Sequence, residues 1–293
     1  MMDHLKSITV FSLLCLLSIS LSANNILTTD STGLLGDHFS LEAALNLFKE
    51  SNSPEDFEEK LNTEKYKVNN LDLNADGEID YISIFDNTEG DLHAITLQVA
   101  VSKSENQDIA VIEIERNGQE AAILQIVGDE NIYGETVIVE PFKEQASNVK
   151  KGPNADLNIT RVIVNVWGWP SVRFVYRPQY RPWRSPWGWA SYPRGWRTWR
   201  PVAYRFYYPR HARYRSFFRV TPTHRVVRAH RVYQPHRRTS RVVYTRTARV
   251  RTTRVATTRN GAKRKTTVVK SKRKNGNVVT RKKTVKKRRR GRN

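Results

Sequence analysis

The chain has 293 residues, 50 Lys and Arg against 28 Asp and Glu, a formal charge of +22 and one cysteine. That length accommodates one or two domains, and a balance this basic is unlike the surface of an ordinary enzyme. Residues 1–150 hold 9 Lys/Arg and 27 Asp/Glu, a net −18, whereas residues 151–293 hold 41 Lys/Arg and only Asp156, a net +40. No carboxylate and no thiol follows Asp156, so half the chain lacks the groups from which a catalytic constellation is assembled, and the sequence predicts a protein that is not an enzyme.

The first element is an apolar run from Ile8 to Leu21 behind Met1 to Lys6, which has the length of a signal-peptide core and is short for a membrane span. Cleavage after Ser22 puts the small residues Ser20 and Ser22 at the inspected positions, so residues 1–22 are predicted to be a signal peptide; the alternative is an uncleaved N-terminal anchor. Cys15 follows Leu14 inside the run, a poor context for lipid attachment. The exported chain then has no cysteine, and disulfides cannot staple it. The expected location is secreted, periplasmic or in the outer cell envelope.

An acidic domain is predicted over 38–166. Ser40 caps a helix beginning at Leu41, with Leu41, Leu45 and Phe48 on one face; Ser53-Pro54-Glu55-Asp56 opens a second, with Phe57 and Leu61 on one face. Five β-branched runs follow, Ile79 to Phe85, Leu92 to Val101, Ile109 to Glu115, Ala121 to Val127 and Ile132 to Val139, with a sixth at Leu157 to Val166. Asn117-Gly118 is a hairpin signal and Asn87 to Gly90 a looser one. The fold class predicted is α+β: two N-terminal helices on an antiparallel β-meander, followed by a largely disordered basic tail.

Where helices hand over to strands the chain reads Asp72-Leu-Asn74-Ala-Asp76-Gly77-Glu78-Ile79-Asp80. Oxygen side chains at positions 1, 3, 5 and 9, a carbonyl from position 7 (Glu78) and glycine at 6 suit a hard cation that wants six to eight oxygens, so Ca²⁺ is the expected cofactor, with Asp72, Asn74, Asp76, Glu78 and Asp80 as its ligands. Position 12 is Ser83 where an EF-hand needs Glu. The loop instead resembles the shorter Asp-x-Asp-x-Asp-Gly-x-x-Asp loops of dockerin-like and FG-GAP-type extracellular proteins. The other reading of the same residues is a turn whose Asp and Asn side chains cap their own backbone. With Gln98-Val-Ala-Val-Ser and Ile126-Val-Gly-Asp-Glu, the run from Ile79 to Pro141 is similar to an uncharacterised family of exported Bacteroidota proteins, in which a small acidic domain precedes an Arg/Tyr/Pro-rich tail. That resemblance implies an envelope or secreted location and assigns no activity.

The basic half divides in two. Residues 167–222 form a Trp/Arg/Pro-rich segment: all seven Trp lie between Trp167 and Trp199, and seven of twelve Pro between Pro170 and Pro209, a density that favours extended chain. Three readings compete for it: a cover folded back on the acidic domain, a membrane-interface segment, or a surface that stacks on bases or sugar rings through Trp183, Trp187, Trp196 and Trp199. Residues 223–293 are a basic low-complexity tail of Arg-Val units, two similar units introduced by Asn260-Gly261 and Asn275-Gly276, and a terminal cluster from Lys286 to Arg292. The histidines at 211, 224, 230 and 236 have no regular metal spacing and no neighbouring acids, so they read as near-neutral polar positions that gain charge in acid, with metal binding as the lesser alternative.

A segment of this charge selects polyanions as partners: lipopolysaccharide, acidic polysaccharide, anionic lipid or extracellular nucleic acid. The cations expected to engage them are Arg177, Arg181, Arg184, Arg197, Arg200, Arg225, Arg228, Arg231, Lys286, Lys287, Arg288, Arg289 and Arg290. The acidic domain is itself a candidate partner, within one chain or between copies through self-association. No small-molecule substrate is predicted. The function read from the sequence is an exported binder of envelope or matrix polyanions; the alternative is a nucleic-acid binder without sequence preference.

Overall fold

The computed structural model describes residues 31–146, 159–248, 264–272 and 278–286. The signal peptide therefore lies outside the described residues, as does the terminal cluster beyond Lys286.

Both predicted helices form, α1 (Leu41–Glu50) and α2 (Pro54–Leu61), for the expected reasons. Ser40 Oγ accepts the Ala43 amide at 3.2 Å and Ser53 Oγ the Asp56 amide at 3.1 Å, each satisfying one of the free donors of a first turn. Their apolar faces meet through Phe48 and Phe57, edge to face at 5.3 Å, and both rings are fully buried.

The meander follows: β1 (Ile82–Glu89), β2 (Leu92–Ala100), β3 (Asn106–Gly118) and β4 (Ala121–Gly128), each antiparallel to the next. The Asn117-Gly118 hairpin forms with its register shifted between Arg116 and Gly118, so Gln119 and Glu120 make the connection. The run expected as a strand from Ile132 starts instead as a one-turn helix, α3 (Glu130–Tyr133): Asp129 caps it through the Asn131 amide, and Gly134, at φ 78°, ends it. Strand β5 (Val137–Ala146) then pairs with β4, and β6 (Ile159–Ile163) pairs with its far end.

Among the described residues the chain packs on past residue 166, where the sequence predicts a boundary. Residues 159–248 are not an extended appendage; they complete the same body. Helices α4 (Pro170–Val175) and α5 (Tyr204–His211), strand β7 (Phe218–Thr221), helix α6 (Val227–Tyr233) and a last helix α7 over 241–248 come from this segment. Strand β7 joins the sheet beside β5, giving seven antiparallel strands. Beyond it, β8 (Arg264–Lys272) and β9 (Val278–Lys286) pair antiparallel, with Asn275-Gly276 in a connection outside the described residues.

Alternation on the strands explains why the segment orders. One face of the sheet is apolar, with Ile84, Ile95, Leu97, Ile112, Ile114, Leu124 and Ile126 packed under α1 and α2 and against Val172 and Val175 of α4. The other face mixes Val111, Val127 and Ile138 with acids, and α6 covers it through Ala229, Val232 and Tyr233. Buried acids there need partners, and the basic segment supplies them. Glu140 takes Arg219 at 2.7 Å and Arg225 at 3.1 Å, Asp129 takes Arg237 at 2.6 Å, and Glu115 accepts the amides of Arg228 and Ala229 at the start of α6. The free edge of β1 is likewise covered: the Asp86 amide donates to Trp183 O and the Ser185 amide to Ile84 O.

Candidate functional site

The four tryptophans expected to stack, Trp183, Trp187, Trp196 and Trp199, are brought to one cleft of about 640 Å³ between α2 and the Trp-rich segment, a size suited to a small ligand or a few sugar rings. Tyr81, Pro186 and Pro193 complete its apolar lining; Glu55, Glu59 and Glu64 stand on one side, and Arg194 and Arg197 on the other. Trp183 Nε1 donates to Glu58 Oε2 at 2.9 Å and Trp196 Nε1 to the Asn62 carbonyl at 3.0 Å, so two of the rings are fixed before any ligand arrives. Trp196 also meets Tyr81 edge to face at 5.2 Å.

Glu58 is the post on which the cleft is built. Its side chain accepts from Trp183, from Ser185 Oγ at 2.7 Å, from Tyr81 OH at 2.9 Å and from the Ile84 amide at 3.1 Å. Burial pushes its carboxyl above the ordinary value against those four donors. Nothing in the sequence marked it, because its partners lie up to 127 residues away and a Glu in the first turns of a capped helix reads as a solvated one.

The Asp72 loop lies next to this cleft: the Ile79 amide donates to Trp199 O at 2.9 Å and Thr198 Oγ1 to Ile79 O at 3.0 Å. Its oxygens are turned on its own backbone. Asp72 accepts the amides of Ala75 and Gly77, Asn74 that of Asp76, Asp76 that of Glu78, and Asp80 that of Leu73 at 2.5 Å. Gly77, at φ 87°, makes the turn a side chain would strain. Glu78 is exposed and Asp80 buried. Burial first, and then the charges of Asp72 and Asp76, push the Asp80 carboxyl up to about 7 in spite of the Leu73 hydrogen bond. Three acids thus oppose one another in one loop, the condition a bound cation relieves, and each carboxylate oxygen that accepts an amide keeps a further lone pair. Arg246 of α7 donates to the carbonyls of Asp72 and Leu73, tying the loop to the end of the folded body.

The expected polyanion-binding arginines are not gathered in one patch. Arg177, Arg181, Arg184, Arg197, Arg200, Arg228 and Arg231 are exposed. Arg177 lies over Phe174 at 3.7 Å, Arg184 reaches Asn87, Arg197 donates to the Trp196 carbonyl, and Arg225 already serves Glu140. Lys286 ends β9, and Lys287, Arg288, Arg289 and Arg290 lie outside the described residues. For the histidines the expectation of no acidic neighbours is corrected: His224 and His230 both contact Glu113, which is 111 and 117 residues earlier in the chain. His211 is buried beside Tyr207, and burial lowers its pKa to about 4.

No helix among the described residues is long and apolar enough to cross a membrane. Comparison with known protein families, with curated proteins and with solved structures gives no match.

Proposed function

We propose that the chain is an exported, non-enzymatic protein of the cell envelope or extracellular matrix that binds polyanions through residues 249–293, with a glycan strand as the polymer that best fits its cleft. The observation that carries this reading is a charge balance. Residues 31–146 hold 25 acids and 7 bases, a net −18, and residues 159–248 hold 20 Arg and no acid, so the folded body is left at +2. Residues 249–293 add 20 Lys and Arg with no acid at all. The arginines of the first stretch are largely balanced by the sheet they cover; those of the second have no counterpart in the chain.

The aromatic cleft favours a sugar polymer over a nucleic acid. Glu55, Glu59 and Glu64 on its rim repel a phosphate backbone, whereas an uncharged pyranose stacks on the indoles and offers hydroxyls to acids and arginines alike. Ca²⁺ in the Asp72 loop would be structural, pinning the cleft side of β1 to the loop's carboxylates, with the weak affinity of about 10⁻⁴ to 10⁻³ M usual in extracellular modules.

The test is binding against salt concentration, for the full chain and for a chain ended after residue 248, with lipopolysaccharide, an acidic polysaccharide and duplex DNA as probes. Engagement of about eight phosphates by the full chain gives a slope near −7 on duplex DNA in a plot of log affinity against log salt. The shortened chain is expected to lose that slope and to retain salt-insensitive quenching of tryptophan fluorescence by a neutral polysaccharide, added as a further probe. Equal slopes for the two chains, or tighter binding of DNA than of either glycan at moderate salt, would reject the reading in favour of a surface on the body or of the nucleic-acid alternative.

A further inference from the structure

We propose that Glu113, His224 and His230 form a binding site for one transition-metal ion of the Zn²⁺ type, which fastens the arginine-rich segment to the sheet. Glu113 stands near the middle of β3 with its carboxylate fully buried. Each of its oxygens faces one imidazole nitrogen, Oε2 with His224 Nε2 at 2.5 Å and Oε1 with His230 Nδ1 at 2.5 Å. The three ligating atoms lie within 4.8 Å of one another, and this is the trio of metal-ligand type that the described residues bring so close. The two rings meet edge to face with centroids 4.6 Å apart. The imidazoles are 23% and 26% exposed, which leaves the open side of the trio toward water, where a fourth ligand enters.

The choice of residue is informative. Two other buried acids beside the sheet, Glu140 and Asp129, are neutralised by guanidinium groups, whereas Glu115 and Asp108 take amide and hydroxyl donors. Arg225, Arg228 and Arg231 flank the two histidines in sequence, so a guanidinium was at hand for Glu113 as well. A guanidinium offers donors only, whereas an imidazole offers a lone pair to a metal. Two imidazoles and one carboxylate with an open position is a donor set for Zn²⁺ or its neighbours in the first transition row; Ca²⁺ and Mg²⁺ ask for oxygens. An ion with ligands at about 2.0–2.1 Å spaces them about 3.4 Å apart, so the rings need only withdraw by about 1 Å from their present contact with the carboxylate.

The surroundings support the same assignment. The second nitrogen of His230 faces the Gln234 amide at 2.5 Å. With a metal on Nδ1, Nε2 keeps its proton, and a half-turn of that amide presents its oxygen as the acceptor that orients a ligating imidazole. Glu115, two residues along β3, accepts the Arg228 and Ala229 amides and so holds the start of the helix that carries His230. The site is chemically distinct from the all-oxygen Asp72 loop.

The experiment uses the full chain, stripped with chelator and titrated with Zn²⁺ against a chromophoric competitor, with Co²⁺ as a visible probe. One ion per chain is expected, with the d–d bands of a nitrogen- and oxygen-ligated Co²⁺ of low coordination number. Affinity should fall at least tenfold in His224→Ala and in His230→Ala, and stay unchanged in His236→Ala. Absence of a stoichiometric ion in the unaltered chain, or undiminished affinity in both cluster variants, overturns the proposal. If the alanine variants do not fold, ¹⁵N-histidine spectra of the unaltered chain decide. Zn²⁺ should move the ring nitrogens of His224 and His230, and shifts confined to other histidines overturn the assignment.

Discussion

Replacing Glu140 with Gln isolates the electrostatic join between the two halves of the chain. The Glu140 side chain is 2% exposed and receives Arg219 through Nε at 3.0 Å and Nη2 at 2.7 Å, Arg225 Nε at 3.1 Å and Gln125 Nε2 at 2.7 Å. A glutamine keeps one acceptor oxygen and turns an NH₂ toward groups that can only donate. Breaking a buried ion pair by removing one partner costs about 3–5 kcal/mol. Because the Arg219 and Arg225 side chains remain 24% and 33% exposed and can recover some hydration, the low end, about 3 kcal/mol, is expected here. For a folded body of this size that lowers Tm by about 6–12 °C. Thermal melts followed by circular dichroism, with exposed Glu120→Gln as a control for the same change in charge, measure the effect. The control should melt within about 1 °C of the unaltered chain. Equal melting of the two variants would refute the idea that the acidic sheet holds the basic segment through Glu140.

Three further outcomes follow from other residues. Burial raises the Asp108 carboxyl to about 6 even though the Arg238 amide, Gln98 and Tyr233 donate to it, and Asp129 adds a nearby negative charge. Between about pH 4 and pH 6 the folded chain keeps a proton that the unfolded chain has released, so this group takes away about 3 kcal/mol of stability as pH rises through that window and nothing more above it. Asp108→Asn should flatten the stability curve there by that amount in denaturant titrations; parallel curves would contradict it. An alanine Cβ at Gly128 would come within 2.6 Å of the Tyr133 ring and 3.1 Å of Leu41, so Gly128→Ala should destabilise by about 1–3 kcal/mol, and an unchanged urea midpoint would contradict the packing described. Asp76→Ala, which also removes the acceptor of the Glu78 amide, should lower Tm more in millimolar Ca²⁺ than in chelator; the same change in both conditions removes the ion from the loop.

The local part of the fold was legible because its determinants are local. Ser40, Ser53 and Pro54 announce their helices, and the β-branched run from Ile109 to Glu115 announces a strand. The next level was not legible. Nothing in the run marks Glu113 and Glu115 as buried, because polar strand positions are usually wet and the groups that cover these two sit more than 110 residues away. Residues 223–248 in turn read as part of a largely disordered basic tail, whereas they bury Val226, Ala229, Val232, Tyr233 and Val243 and complete their contacts with charge. Each half is unfinished alone, one with acids to satisfy and one with cations. The four cleft tryptophans were picked out by composition, but that they share one cavity depends on Glu58 and Asn62, which carry no sequence signal of that role.

Limited trypsin digestion followed by intact-mass analysis tests most directly that the acidic sheet and residues 159–248 form one body. The covering segment contains 20 Arg, so an undocked segment offers trypsin a site every few residues. The structure predicts a long-lived species that retains residues 159–248 together with the acidic domain, as a single fragment or as pieces held together after a cut in 147–158. A surviving core that ends before residue 159, with the covering segment reduced to small peptides at the earliest times, would contradict the account.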